Sequence, residues 1–248
     1  MTTQLIPSST IDTINWTPES LKQVSQSLEG SSPADVMRWG FDNFGDGLVM
    51  ATGFGPEGIV LMHHVSQIRP ETIVFYLDTD LLFSHTYELR DELVKKFGIR
   101  FERIHSGISL PAQAVRHGDK LWESDPDTCC LMRKVIPQRE YLSGHRAWIT
   151  GIRRDQTIFR ANAGLVEWDK TNKMAKLNPL AAWTQDQVWD YIRQYDLPYN
   201  TLHNQGYPSI GCWPCTKAVK PGDDPRSGRW AGQEKTECGI HLKSDYEI

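Results

Sequence analysis

No stretch of this sequence is apolar for long enough to span a bilayer, which takes about 20 consecutive apolar residues in a helix, so no membrane role is expected. The opening text, MTTQLIPSSTIDTINW, lacks the basic start and apolar centre of a secretory signal, and a cytoplasmic location is expected. Charge of either sign is never in large excess: the net value is −4. No basic stripe interleaved with aromatics is present, which argues against a nucleic-acid partner. Internal repeats and low-complexity tracts are missing as well. Cysteine is scarce, with 5 in 248 residues. In a cytoplasmic chain so few cysteines read as metal ligands and redox groups rather than as a disulfide framework.

Four of the five come as two tight pairs, Cys129-Cys130 in DTCCLMRK and Cys212 with Cys215 in GCWPC. Adjacent cysteines rarely bridge each other, because a disulfide strains a trans dipeptide. Four thiolates at one point suit zinc or an iron–sulfur cluster. A zinc ribbon would show two C-x-x-C knuckles a short way apart; here one pair is contiguous and the other lies far downstream. Contiguous thiolates can reach two different irons of a cube, so a 4Fe-4S cluster is favoured over zinc. Trp213 and Pro214 would cover it, and Lys134, one helical turn past the first pair, would place a positive charge nearby.

The rest of the chain reads as alternating helices and strands. Thr17-Pro18 and Ser32-Pro33 each put a capping hydroxyl before a proline at the first helical position. GLVMATGFGPEG is an apolar strand running into a glycine-rich turn and a helix, IVLMHHVSQI. TIVFYLDTD is a second strand, followed by a helix over FSHTYELRDELVKKF that Gly98 stops. IRFERIH and RAWITG add two more strands, and Thr184 with Gln187 forms a capping box for QDQVWDYIRQY. Strands without strong alternation, interleaved with helices, indicate an α/β fold with a mostly parallel sheet covered on both faces. One domain over 1–248 is expected. It divides into a helical segment at 1–46, a nucleotide-binding core at 47–200, and an irregular cluster loop and mobile tail at 201–248.

In such sheets ligands bind beyond the carboxyl ends of the strands. Gly53, Gly55 and Gly58 would let the backbone wrap an anion there, although an ordinary strand-to-helix turn explains them equally. The loop lacks the Walker A pattern and its lysine, which argues against nucleoside triphosphate hydrolysis. LDTD, with Asp78, Thr79 and Asp80, ends the next strand and would face the same crevice, or cap the following helix. TGIRRDQTIFR follows a further strand, and Arg153, Arg154 and Arg160 are fork-shaped donors suited to phosphate or sulfate. Arg226 and Arg229 form a second basic patch. Cys238 stands alone in ECGIH, where His241 and the arginines favour a thiolate and Glu237 opposes it; it reads either as a nucleophile or as an incidental thiol.

Taken in order, LDTD, DTCC…RK, TGIRRDQ, GCWPC, DPRSGRW and ECGIH resemble the assimilatory sulfonucleotide reductases, from about Leu48 to His241. The resemblance implies a Rossmann-like fold of the adenine nucleotide alpha-hydrolase type. It also implies a thioredoxin-dependent reduction of adenylyl sulfate or its 3′-phosphorylated form to sulfite. By the same resemblance, Cys238 is the nucleophile that takes up the sulfonate, and Cys129, Cys130, Cys212 and Cys215 hold the cluster with Lys134 beside it. Gly53, Gly55, Asp78, Thr79, Arg153, Arg226, Arg229 and His241 would contact the substrate. The pattern departs from the family at Asp80, where glycine is usual, and in the glycine loop. No redox domain is fused after the tail, so an external thioredoxin is expected; assembly into a homo-oligomer is left open. Four cluster cysteines accompany the unphosphorylated nucleotide in this family, and a carboxylate at Glu57 would oppose an extra phosphate. Adenylyl sulfate is therefore the expected substrate and its 3′-phosphate form the alternative. An RNA-thiolating relative would carry a serine–glycine–glycine–lysine loop that this chain lacks. A zinc-stabilised nucleic-acid module fits poorly with the acidic balance.

Overall fold

The computed structural model describes residues 15–233 together with Lys235, Glu237, Gly239 and Ile240. Six strands form one sheet in the order β3-β2-β1-β4-β6-β5. They are β1 (Leu48–Ala51), β2 (Ile73–Asp78), β3 (Arg100–His105), β4 (Ala147–Ile149), β5 (Val166–Asp169) and β6 (Met174–Leu177). All neighbours are parallel except the β5–β6 hairpin at one edge. Strand order reverses between β1 and β4, and the crevice at the carboxyl ends of those two strands is where doubly wound sheets bind ligands.

Burial on both faces explains why the strands read as apolar runs. Leu48, Met50, Val74, Tyr76, Ala147 and Ile149 point into one core, with residues of α1 (Pro18–Ser27), α2 (Pro33–Phe44), α3 (Pro56–Ile68), α4 (Ser84–Phe97) and α9 (Gln185–Gln194). Val49, Phe75 and Trp148, between them in sequence, point to the opposite face and pack with Leu142 and Met174. This period of two within buried strands is the pleat at work. The local signals act as expected: Thr17 and Ser32 accept from the Ser20 and Asp35 amides, Thr184 and Gln187 close a capping box, and Gly98 ends α4 in the left-handed conformation. No helix among the described residues is long and apolar enough to cross a membrane.

Two regions were not legible in the sequence. The hairpin β5–β6 turns at Lys173, a non-glycine residue at φ 53°, and its short strands are masked by polar residues. The stretch between β3 and β4 is helical: α5 (Leu110–His117), α6 (Leu121–Ser124), α7 (Pro126–Cys130) and α8 (Ile136–Leu142). A π-helical segment, Leu131–Val135, joins α7 to α8. Beyond residue 200 the chain is irregular, but bridges Leu82–Cys212 and Thr216–Arg229 tie it to the core and to itself.

Candidate active site

A cleft of about 260 Å³ opens at the switch point. Its floor is Ala51–Gly53 after β1 and Thr150–Ile152 after β4; its walls include Gly55, Glu57, Phe75, Leu77, Trp148, Lys134, Gln156 and Arg160. Gly53 and Gly55 line it as expected. The left-handed residue of the loop, however, is Phe54 at φ 59°, not a glycine. Gly58 serves packing: a Cβ there would stand 2.6 Å from Thr52 Oγ1. Arg153 is buried and committed elsewhere, its Nε donating to Glu57 Oε1 at 2.9 Å and its Nη1 pairing with Asp155. Gln156 Nε2 also reaches Glu57, at 3.0 Å. The charge of Glu57 is thus already balanced, and its expected opposition to a second phosphate loses force. Among the arginines of TGIRRDQTIFR, Arg160 lines the cleft, whereas Arg154 pairs with Glu29.

Beside the cleft lies a smaller cavity bordered by Cys129, Cys130, Cys212 and Cys215, with Thr79, Trp122, Arg133 and Lys134. None of the four is in a disulfide. The far-separated pairs meet because the π-helical segment that follows α7 packs against β2 while Cys212 bridges Leu82. Burial, and after it the neighbouring thiols Cys130, Cys212 and Cys215, push the Cys129 thiol up to about 12. Burial and Cys212 push Cys215 to about 11, with Lys134 pulling the other way. Thiols this difficult to ionise side by side gain most from a cationic centre between them. Among the described residues no group of three or more His, Cys, Asp or Glu is placed to hold a metal ion; the four thiols border one small cavity. That donor set, four sulfurs around one cavity with two basic side chains in its wall, fits a cluster. Trp213, expected as a lid, is half exposed and touches Trp122, which sits in the wall.

The end of β2 serves the cysteine cavity rather than the cleft. Thr79 Oγ1 lies 3.2 Å from Cys212 Sγ, and the Thr79 carbonyl accepts from Arg133. The Asp78 carboxylate accepts from Tyr87 Oη at 2.7 Å, Arg103 Nε at 2.6 Å and the Asp80 amide at 3.0 Å. Burial works against its ionisation, but these bonds outweigh it and hold Asp78 below the usual carboxylate range. Among the described residues that line the cleft, neither Asp78 nor Thr79 is present, although Leu77 beside them is. Asp80 takes the left-handed conformation, φ 59°, which explains why glycine is tolerated at that step and why aspartate is too. Its carboxylate meets Arg133, Arg103 and His105.

The tail returns to the cleft. Lys235 pairs with Asp127, and Glu237 Oε2 accepts from Arg160 Nη2 and Arg226 Nη2. Gly239 approaches Val135 closely, and Ile240 lines the cleft and packs on the Phe75–Trp148 face. Cys238 and His241 lie outside the described residues. Arg226 holds the tail, and Arg229 packs on Trp230 and over Gly211, bracing the Cys212–Cys215 segment. Reading the sequence missed Gln138, Trp122 and Arg133 as site residues, and took Glu237 only as a charge opposing the thiolate. Of the three missed, only Arg133, beside the cysteine pair, carried a local signal.

Fold and site together define a doubly wound α/β protein with an anion-suited cleft and a thiol-lined cavity sharing one wall. Residues 47–218 match the model of the phosphoadenosine phosphosulfate reductase domain, and the chain belongs to that family. An adenosine 5′-phosphosulfate reductase of Salinibacter ruber is 47% identical over 233 residues, 94% of this chain and 92% of the relative. Adenosine 5′-phosphosulfate reductase 1 of Bacillus subtilis is 45% identical over 207 residues, 83% of this chain and 89% of the relative. The crystal structure of a phosphoadenylyl-sulfate reductase from Candida auris superposes with a TM-score of 0.71 at 31% identity, covering 84% of this chain and all of that one. An FMN adenylyltransferase of Candida glabrata, at 14% identity and TM-score 0.55, shares the fold alone. The family resemblance carried by the motif order is borne out.

Proposed function

We propose that this protein reduces adenylyl sulfate to sulfite and AMP, with Cys238 as nucleophile and thioredoxin as the thiol donor. The observation that carries the reading is the convergence on one cleft of Lys134, Arg160 and the residues flanking Cys238, namely Glu237 through its pairing with Arg160 and Ile240 directly. A thiolate attacks the sulfur of the sulfate group, the S–O bond to the phosphate breaks, and AMP leaves with the electron pair. Lys134 and Arg160 offset the charge developing on the bridging and sulfate oxygens. A thioredoxin thiolate then attacks the Cys238 sulfur and expels sulfite. Its second thiol resolves the mixed disulfide, so the two electrons come from the dithiol. Cys129, Cys130, Cys212 and Cys215 would hold a 4Fe-4S cluster, which when bound supplies a fixed charge and an anchor beside Lys134. The similarity to adenosine 5′-phosphosulfate reductases supports the unphosphorylated substrate over the 3′-phosphate form.

The test uses adenylyl sulfate labelled at sulfur, with no reductant. Label is expected on the polypeptide, lost in a Cys238→Ser variant, and released as sulfite by reduced thioredoxin. Faster turnover of the 3′-phosphate form would overturn the substrate assignment.

A further inference from the structure

Gln138, on α8, is 3% exposed, and neither its amide oxygen nor its amide nitrogen has a hydrogen-bond partner. It lines the cleft four residues after Lys134. A buried amide without partners is a cost to the fold that burial of an apolar side chain would avoid. Its surroundings are flat and apolar: Phe75 and Trp148 point to the sheet face that α8 covers, and Ile240 closes the same sector. Leu77 lines the cleft beside them. The cationic and glycine-rich part, with Lys134, Arg160, Gly53 and Gly55, lies at and beyond the strand ends. The cleft therefore has an aromatic-walled sector for a planar heterocycle and a polar sector for an anion.

An amide presents a donor and an acceptor side by side, which matches the adjacent amino group and ring nitrogen on an adenine edge. Resting on the adenylyl reading above, we infer that Gln138 is a specificity residue that hydrogen-bonds the edge of the adenine base, engaging its 6-amino group. The base supplies the partners that the amide does not find within the protein.

The experiment is calorimetric titration of AMP and of purine riboside 5′-monophosphate, which lacks the 6-amino group, into the anaerobically purified protein and its Gln138→Leu variant. The variant is expected to bind AMP about tenfold more weakly, and to lose clearly less for purine riboside monophosphate, which keeps the ring nitrogen but not the 6-amino group. Thermal melting without nucleotide should be unchanged or higher in the variant, because an unpaired buried amide has gone. Gln138→Met serves in the same way if the leucine variant fails to fold. An unaltered AMP affinity overturns the inference. So does an equal loss for both nucleotides, which would put the amide on a group they share, a ring nitrogen, the ribose or the phosphate, and not on the 6-amino group. Wild-type protein that ignores AMP overturns the adenylyl reading along with it.

Discussion

Glu237 and Arg160 form an ion pair at 2.9 Å in which both side chains are largely buried, 7% and 13% exposed, and Arg226 joins the same carboxylate oxygen at 3.2 Å. The residue before the candidate nucleophile is thus clamped by one arginine of the cleft and one of the basic patch upstream. Glu237, which by its charge alone would work against a thiolate, is neutralised by that clamp. Substituting Glu237→Gln should leave two arginines competing for a neutral amide. Breaking a buried pair costs about 3–5 kcal/mol in full burial, and somewhat less here because Arg226 is 24% exposed. The expected outcome is faster tryptic cleavage at Lys235 with the body of the protein intact. Arg160→Ala should lower kcat/KM for adenylyl sulfate by about 100-fold, the usual loss on removing one electrostatic donor. Unchanged proteolysis and kinetics would mean that the clamp neither holds the tail nor serves the site.

Asp80 separates backbone strain from charge. Asparagine tolerates the left-handed conformation almost as well as aspartate, and glycine relieves it altogether. If conformation governs, Asp80→Gly stabilises; if the pairing with buried Arg133 governs, both variants destabilise. Arg133 is 1% exposed, and its other acceptors, Gln113 Oε1 and the Thr79 and Ile108 carbonyls, stay in place. Both variants are therefore expected to lose about 1–3 kcal/mol, read by urea denaturation. A more stable glycine variant would reverse the ranking.

The cysteine assignments divide cleanly by readout. Cys238→Ser should abolish sulfite release and retain iron and brown colour. Cys130→Ser or Cys212→Ser should lose iron and lower the melting temperature, since the ligand set and the packing around the cavity fail together. Colourless wild-type protein carrying stoichiometric zinc would sink the cluster.

Histidines set the response to mild acid. Burial, then the charges of His63 and Arg38, lowers His64 to about 4 from its usual 6.5, and its Nε2 is buried without a partner. The folded protein thus binds fewer protons than the unfolded chain below pH 6.5, so stability is full above that pH and falls as pH drops toward 4. His63, His145 and His203 are lowered as well, chiefly by burial, and act in the same sense. His64→Gln should flatten the loss of melting temperature between pH 6.5 and about 4.5. An identical slope in wild type and variant would remove His64 from the account.

Much of this was legible in the sequence because the signals are local. Caps at Thr17, Ser32 and Thr184, the stop at Gly98 and the apolar runs of β1, β2 and β4 depend on residues within a few positions of each other. So did the thiol pairs, whose spacing implied a common cavity before the fold did. Side chains aimed by tertiary packing were not legible. Arg153 and Arg160 are of one type in one motif, yet Glu57 and Asp155 engage the first while only the second reaches the cleft. Asp78 ends its strand as a ligand-binding aspartate would, but Tyr87 and Arg103, on elements further along the chain, claim it. Gln138 carried no signal in the sequence, because α8 itself was not legible there and the cleft that Gln138 lines is made by packing across the fold.

The wider turn at Leu131–Val135 sets how the protein tolerates change. A π-helical turn carries one residue more than the α-helical turn it interrupts, and each residue of a helix advances about 100° around the axis. Deleting one residue there would regularise the helix and keep Cys129, Cys130 and Gln138 in phase. Deleting one from the regular turns of α7 or α8 would instead rotate one side against the other by roughly that angle. Lys134, which borders both chambers, could then face only one. The two chambers are phased by counting as well as by chemistry: the wide turn can lose its one surplus residue, and a single-codon deletion in the regular turns on either side uncouples them.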